Sequence, residues 1–228
     1  MIKNQMESGL SMLSRIRGSI TLPNFEFLNN ETDKVYIIES DSNGLLASRI
    51  FTYNLIACTL NDSNNIDLNI HFKPNFYRIL IFDGRCWFKE DDFIANFIAE
   101  SEKLQQIKIY RATDDSILMM HLYDQLKTNF AINLNLQLVV IITNSSILFP
   151  ELVDQLNQYL FSLSITVRVI LIVDHLKKSQ IEFYRQKPIC DIIQCKLVQQ
   201  GNEHCNKIIT LQVVGKKNSI VEKSFQFK

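Results

Sequence analysis

Between Val35 and Val173 the chain alternates short runs of β-branched and aromatic residues with longer stretches of helical spacing, and this alternation restricts the fold more than any other feature. The runs are Val35-Tyr36-Ile37-Ile38, Tyr77 to Asp83, Ile107 to Tyr110, Leu136 to Thr143 and Val167 to Val173. Each is nearly continuous in apolar residues instead of alternating with polar ones, which predicts strands covered on both faces. Between them Leu45 to Leu60, Phe93 to Leu104 and Ile117 to Leu126 carry helical patterns, and Pro150 opens another through about Leu163, with proline in its first turn. Strands separated by helices need crossover connections, so the expected fold is α/β: a mainly parallel sheet flanked by helices. After His175 the rhythm changes. Asp191–Gln199, Cys205–Val214 and Ile220–Phe227 read as strands joined by turns at Gln200-Gly201-Asn202 and Gly215-Lys216-Lys217-Asn218, which predicts a C-terminal antiparallel extension of the sheet.

A chain of 228 residues fits one core. Met6, Leu10, Leu13 and Ile16 give residues 1–17 a weak amphipathic pattern ending near Gly18, so the expected division is an N-terminal arm over 1–30 and one core domain over 31–228. With 46% hydrophobic residues, and 24 Lys+Arg balancing 24 Asp+Glu, the composition excludes extensive disorder and offers no global attraction to polyanions. Any nucleic-acid contact must come from a local patch or a partner. The longest apolar stretch, Leu136 to Ile142, is interrupted by Gln137 and is far shorter than the ~20 residues that span a bilayer. Five cysteines (Cys58, Cys86, Cys190, Cys195 and Cys205) and an N-terminus without an apolar secretory segment predict reduced thiols in an intracellular compartment.

The order of elements and several local strings resemble the ATPase core of the RecA-type recombinases of eukaryotes, in particular their small paralogues, over roughly residues 30–228. Ile81-Phe82-Asp83-Gly84-Arg85-Cys86-Trp87-Phe88-Lys89 resembles the family's strand ending in Asp-Thr-Glu-Gly-Thr-Phe-Arg, with Asp83, Phe88 and Lys89 on matched positions. Ile109-Tyr110-Arg111-Ala112-Thr113-Asp114-Asp115 resembles the next strand and helix start, and Val139 to Phe149 resembles the Walker B strand and its exit. The runs Ile192 to Leu197, Ile208 to Leu211 and Phe225-Gln226-Phe227 resemble the closing antiparallel strands.

Set on this family, the chain departs from it where the chemistry lies. A P-loop needs glycines that let backbone N–H groups surround phosphate, a lysine on the β- and γ-phosphates, and a hydroxyl on magnesium. On G-x-x-x-x-G-K-[ST] this chain places Glu39, Gly44, Leu45 and Leu46, and there is no lysine between Val35 and Phe72. Thr143 matches the Walker B aspartate, and Arg85 matches the glutamate that orients the attacking water. Since phosphoryl transfer depends on these parts jointly, the resemblance implies a core with no ATP hydrolysis, no bound cofactor and no metal.

Other constellations carry less. Cys190, Cys195, His204 and Cys205 could be written as a zinc set, but their spacing is poor and Ile193-Cys195-Leu197 alternates as a buried strand face, so structural thiols are expected. Asp174 and His175 lack the G-x-S-x-G elbow of a hydrolase. Leu176 to Pro188 reads as a loop in which Lys177, Lys178, Arg185 and Lys187, beside Phe183 and Tyr184, suit phosphate contact and base stacking. Tyr36, Phe51, Tyr53 and Trp87 are core residues or a partner surface, and Leu45-Leu46 would lie exposed at the mouth of an emptied cleft unless a partner subunit covered it.

The resemblance therefore implies a non-catalytic accessory subunit of the Shu-complex or nematode and vertebrate recombinase-paralogue type. Such a subunit is expected in the nucleus, pairing with a second recombinase paralogue as a heterodimer and acting on recombinase filaments in homologous recombination repair of DNA damage, with single-stranded DNA as a further candidate partner. The absence of the helical domain that precedes the core in full-length recombinases fits the same reading. The alternative is a nucleotide- or cofactor-binding enzyme on a related open α/β fold, using Asp83, Asp174 and His175 at strand ends.

Overall fold

The structure, a computed structural model, describes residues 28, 35–40, 45–61, 77–98, 101–128, 136–142, 154–155, 158, 167–173, 176–186, 190–203, 206–214 and 220–227. Eight strands among these residues form one sheet in the order β3-β2-β4-β5-β1-β6-β7-β8. They are β1 (Val35–Ser40), β2 (Ile79–Asp83), β3 (Ile107–Arg111), β4 (Leu138–Ile142), β5 (Arg168–Val173), β6 (Cys190–Glu203), β7 (Asn206–Val214) and β8 (Ile220–Phe227). The first six are mutually parallel, consistent with an α/β RecA-like core flanked by helices. β6 pairs with β1 through Cys190 to Cys195 and then runs antiparallel to β7, which in turn is antiparallel to β8.

Every residue of β2, β4 and β5 is buried, as the unbroken apolar runs require of strands covered on both faces. Alternate side chains divide the core in two. One face carries Tyr36, Ile38, Ile79, Ile81, Val140, Ile170, Ile172 and Cys195 against α1 (Leu45–Asn61) and α2 (Glu90–Phe97), and Leu28 joins this cluster. The other carries Val35, Ile37, Leu80, Phe82, Val139, Ile141, Val169 and Leu171 against α3 (Asp115–Thr128) and α4 (Lys178–Gln186).

α1 is buried or half-buried from Leu46 through Leu60, with no polar face turned to water. A helix of that kind belongs to the interior. Its hydroxyls are satisfied locally: Thr52 Oγ1 donates to Ser48 O (2.8 Å) and Thr59 Oγ1 to Leu55 O (2.8 Å).

The structure corrects four local expectations. Phe93 to Leu104 is not one helix: α2 stops at Phe97, Ile98 is extended (φ −130°, ψ 139°), and a 3-10 helix follows at Ser101–Gln106. Phe93 on α2 and the extended Ile98 both lie in the α1-side core. Gln200-Gly201-Asn202 is not a turn, because β6 continues to Glu203 with a register shift between Leu197 and Gln199. The basic segment after β5 is not a loop but α4. Leu46 is not exposed at a cleft mouth; it is half-buried against the α1-side core. The amphipathic pattern of residues 1–17, the helix opened by Pro150 and the turn at 215–218 lie outside the described residues, apart from 154–155 and 158.

Candidate functional site

From β1 the chain passes through α1 on one face to reach β2, while β5 is followed by α4 on the opposite face before β6. The C-terminal ends of β1 and β5 are therefore a topological switch point, the place where open α/β sheets bind ligands. Glu39 stands there. It pairs in register with Val173 on β5 and Gln194 on β6, and its side chain is only 8% exposed. Its Oε1 accepts the Leu176 N–H at 3.3 Å, two residues before α4, and its Oε2 accepts Gln194 Nε2 at 3.1 Å. A carboxylate thus takes a backbone donor just ahead of a helix, at the strand exits where open α/β sheets place anions. A second anion brought to the same place would meet Coulomb repulsion.

The β2 exit repeats the pattern. Asp83 is completely buried; Oδ1 accepts the N–H groups of Arg85 (3.1 Å) and Trp87 (2.9 Å), and Oδ2 accepts that of Phe88 (2.8 Å). The loop they close contains Cys86 at φ 50°, a left-handed conformation that costs a non-glycine residue about 1–2 kcal/mol. The three bonds to Asp83 bracket Cys86 and hold it there. Tyr53 of α1 fixes the end of the loop, accepting the Lys89 N–H (2.8 Å) and donating to Lys89 O (3.2 Å). Burial raises the Tyr53 pKa above its ordinary value, with the backbone bond to Lys89 acting the other way. Arg111 at the end of β3 reaches the same corner, bonding Glu90 Oε1 at 2.8 Å and Phe88 O at 3.4 Å.

Several residues singled out from the sequence take other places. Tyr36, Phe51, Tyr53 and Trp87 are each at most 4% exposed, so they build the core and are not a partner surface. Tyr53 is ringed edge-on by Trp87, Phe88, Phe93 and Phe97, and Arg49 Cζ lies 5.3 Å over the Trp87 ring. Arg85 is half-buried on the Asp83 loop. Cys195 is buried in the core, and no group of three metal-ligating side chains exists among the described residues. Gly44, Thr143, Asp174, His175, Lys187, His204 and Cys205 lie outside the described residues, while Leu45 opens α1.

Lys177, Lys178 and Arg185 are all exposed on or just before α4. The helix forms because Ile181 and Tyr184, three residues apart, both turn inward, Tyr184 completely. Gln180 Oε1 reaches back to accept the Lys177 N–H at 2.9 Å, half of a capping box. Helical geometry then sorts the surface. Glu182 is four residues from Lys178 and three from Arg185, so a negative charge sits within the basic stripe. Phe183, 40% exposed, falls on the opposite flank from Arg185, which separates the aromatic from the cations instead of combining them.

Sequence reasoning missed the exposed apolar pair on α3, Ile117 (46%) and Met120 (60%). α3 packs beside β3, an edge strand among the described residues, with the His121 ring 5.7 Å from that of Tyr110. The signal was present as apolar residues outside the buried set Leu118, Met119 and Leu122, too wide a band for one buried face. Among the described residues no helix is long and apolar enough to cross a membrane. The sequence matches no known protein-family model and no curated protein.

Proposed function

We propose that this protein is a non-catalytic, RecA-like subunit that works by binding other chains: a second recombinase paralogue as heterodimer partner, and through it recombinase filaments on single-stranded DNA during homologous recombination repair in the nucleus. The observation that carries the reading is Glu39, a buried carboxylate at the β1 exit whose oxygens are bonded to Leu176 N and Gln194 Nε2. A P-loop has a glycine in that position, whose backbone N–H faces phosphate, and a carboxylate there would repel the phosphate's negative charge. Arg85 in place of the water-orienting glutamate supports it further. Ile117 and Met120 beside the β3 edge are the side chains best placed to be covered by the partner, since unpaired strand edges and exposed apolar groups are both sites of association. The enzyme alternative loses support at Asp83, whose oxygens accept three backbone N–H groups of its own loop.

The purified chain is expected to show no magnesium-dependent ATP binding in fluorescence titration; tight binding would overturn the reading. Affinity capture from the native cell should recover a recombinase or a recombinase paralogue, and recovery of neither would count equally against it. Reversing the charges of Lys177 and Lys178 should weaken single-stranded DNA binding by the reconstituted complex. Unchanged binding would remove α4 from the proposed DNA surface.

A further inference from the structure

We propose that Glu39 is a built-in anion that holds the start of α4 on the end of β1, so that this basic helix is presented in one pose without any ligand. The inference goes beyond the functional reading above and fails or holds separately, because it concerns where α4 sits, whatever α4 touches.

Glu39 is 137 residues from Leu176 and 155 from Gln194 in sequence, yet one carboxylate joins all three. Both bonds are charge-assisted and lie at a site with little water, Glu39 being 8% and Leu176 2% exposed. The position also favours a negative charge for a general reason. The unpaired N–H groups at a helix start carry partial positive charge, and the Leu176 N–H that Glu39 accepts lies two residues ahead of the first residue of α4, near that end of the helix. The next donor along, Lys177 N–H, is already taken by Gln180 Oε1, while Lys177 O accepts the N–H groups of Gln180 (2.8 Å) and Ile181 (3.0 Å). Glu39 therefore holds the residue just ahead of the Lys177–Gln180 cap, where the chain leaves the sheet for α4, and Ile181 and Tyr184 fasten the helix's inner side. In an open α/β sheet such a donor at a strand exit is commonly met by a bound anion. Here the chain supplies the anion, on the neighbouring strand.

Amide exchange followed by NMR on the full chain tests this. In the unaltered protein Leu176 N–H should be protected together with the first turn of α4. Glu39→Ala should raise exchange there by roughly 10–100-fold, with β2 and β4 keeping their protection. Glu39→Gln, which retains one acceptor oxygen, should give an intermediate increase and shift the Gln194 side-chain amide resonances. Gln194→Ala should leave Leu176 better protected than Glu39→Ala does. A uniform rise across the sheet in Glu39→Ala would reduce Glu39 to a contributor to global stability and overturn the proposal. So would unchanged exchange at Leu176. If Glu39→Ala does not fold, Glu39→Gln decides alone: unmoved Gln194 amide resonances and an unmoved Leu176 rate would also overturn it.

Discussion

Among the described residues, the buried charges at the C-terminal edge of the parallel strands are carboxylates, Glu39 and Asp83; at the N-terminal edge they are guanidiniums, Arg78 and Arg168. The crossover topology accounts for the difference. A helix that follows a strand starts at the C-terminal edge with spare N–H groups and ends at the N-terminal edge with spare carbonyls. Glu39 meets a donor just ahead of such a start, the Leu176 N–H two residues before α4. Arg78 meets one of the spare carbonyls, donating from Nη1 to Leu60 O at 3.3 Å in the last turn of α1. Arg78 also gives Nε (3.2 Å) and Nη2 (2.7 Å) to Gln137 Oε1, and Nη1 to Gln106 Oε1 at 3.4 Å, which ties together the segments leading into β2, β3 and β4. Buried charge thus meets groups of opposite polarity at both edges, Glu39 facing backbone and side-chain N–H groups and Arg78 a helix-end carbonyl.

The sharpest way to break the comparison is at Asp83, which alone accepts three backbone donors and restrains Cys86 in its left-handed conformation. Asp83→Ala should cost about 3–5 kcal/mol in chemical denaturation, since three buried backbone donors lose their acceptor. Asp83→Asn should cost roughly half as much, keeping one acceptor oxygen. Next comes the opposite edge. Arg78→Met should cost about 2–3 kcal/mol by leaving Gln137 Oε1 and Leu60 O without their donor. Adding Gln137→Leu should recover part of that loss, because replacing both partners by apolar groups removes the unmet polar atom. If the double variant is no more stable than Arg78→Met, the network is not the source of the effect and the symmetry between the edges fails.

How much of this was legible in the sequence depended on the range of the interaction that decides it. β2, β4 and β5 stand out because continuous apolar runs are a local signal, and α1 stands out because its length and composition exclude a strand. α4 was hidden: eight of its nine residues from Lys178 to Gln186 are at least partly exposed, and polar composition reads as loop when only Ile181 and Tyr184 mark the inner side. Gly201 suggested a turn, yet its place in β6 is set by pairing with Ile208 on β7. Glu39 was conspicuous as a carboxylate where phosphate belongs, but what it does could not be read, since Leu176 and Gln194 are brought to it by the sheet. Asp83 was recognisable by resemblance, while its use as the acceptor of its own loop needed the loop's conformation.

The smallest expected effect is a titration that sets the two edges against each other. Burial raises the Tyr53 pKa at the C-terminal edge and, on the α3 side of β3, that of Tyr110. Burial lowers the Arg168 pKa at the N-terminal edge, with Tyr36 and Cys58 acting in the opposite direction. A tyrosine whose folded pKa lies above its unfolded value near 10 contributes stability that is fully present below pH 10 and is lost as pH rises through the folded pKa, because the unfolded chain releases its proton first. Arg168 has the reverse sign, but a guanidinium keeps its proton over the pH range of a denaturation experiment, so its lowered pKa contributes no slope there. Above pH 10 the tyrosines therefore dominate and the denaturation midpoint should fall. Tyr53→Phe should lower stability at neutral pH, through loss of the Lys89 bonds, and make the alkaline slope shallower. An unchanged slope in Tyr53→Phe would assign the alkaline loss to Tyr110 or to other groups and take the Tyr53 corner out of the balance between the edges.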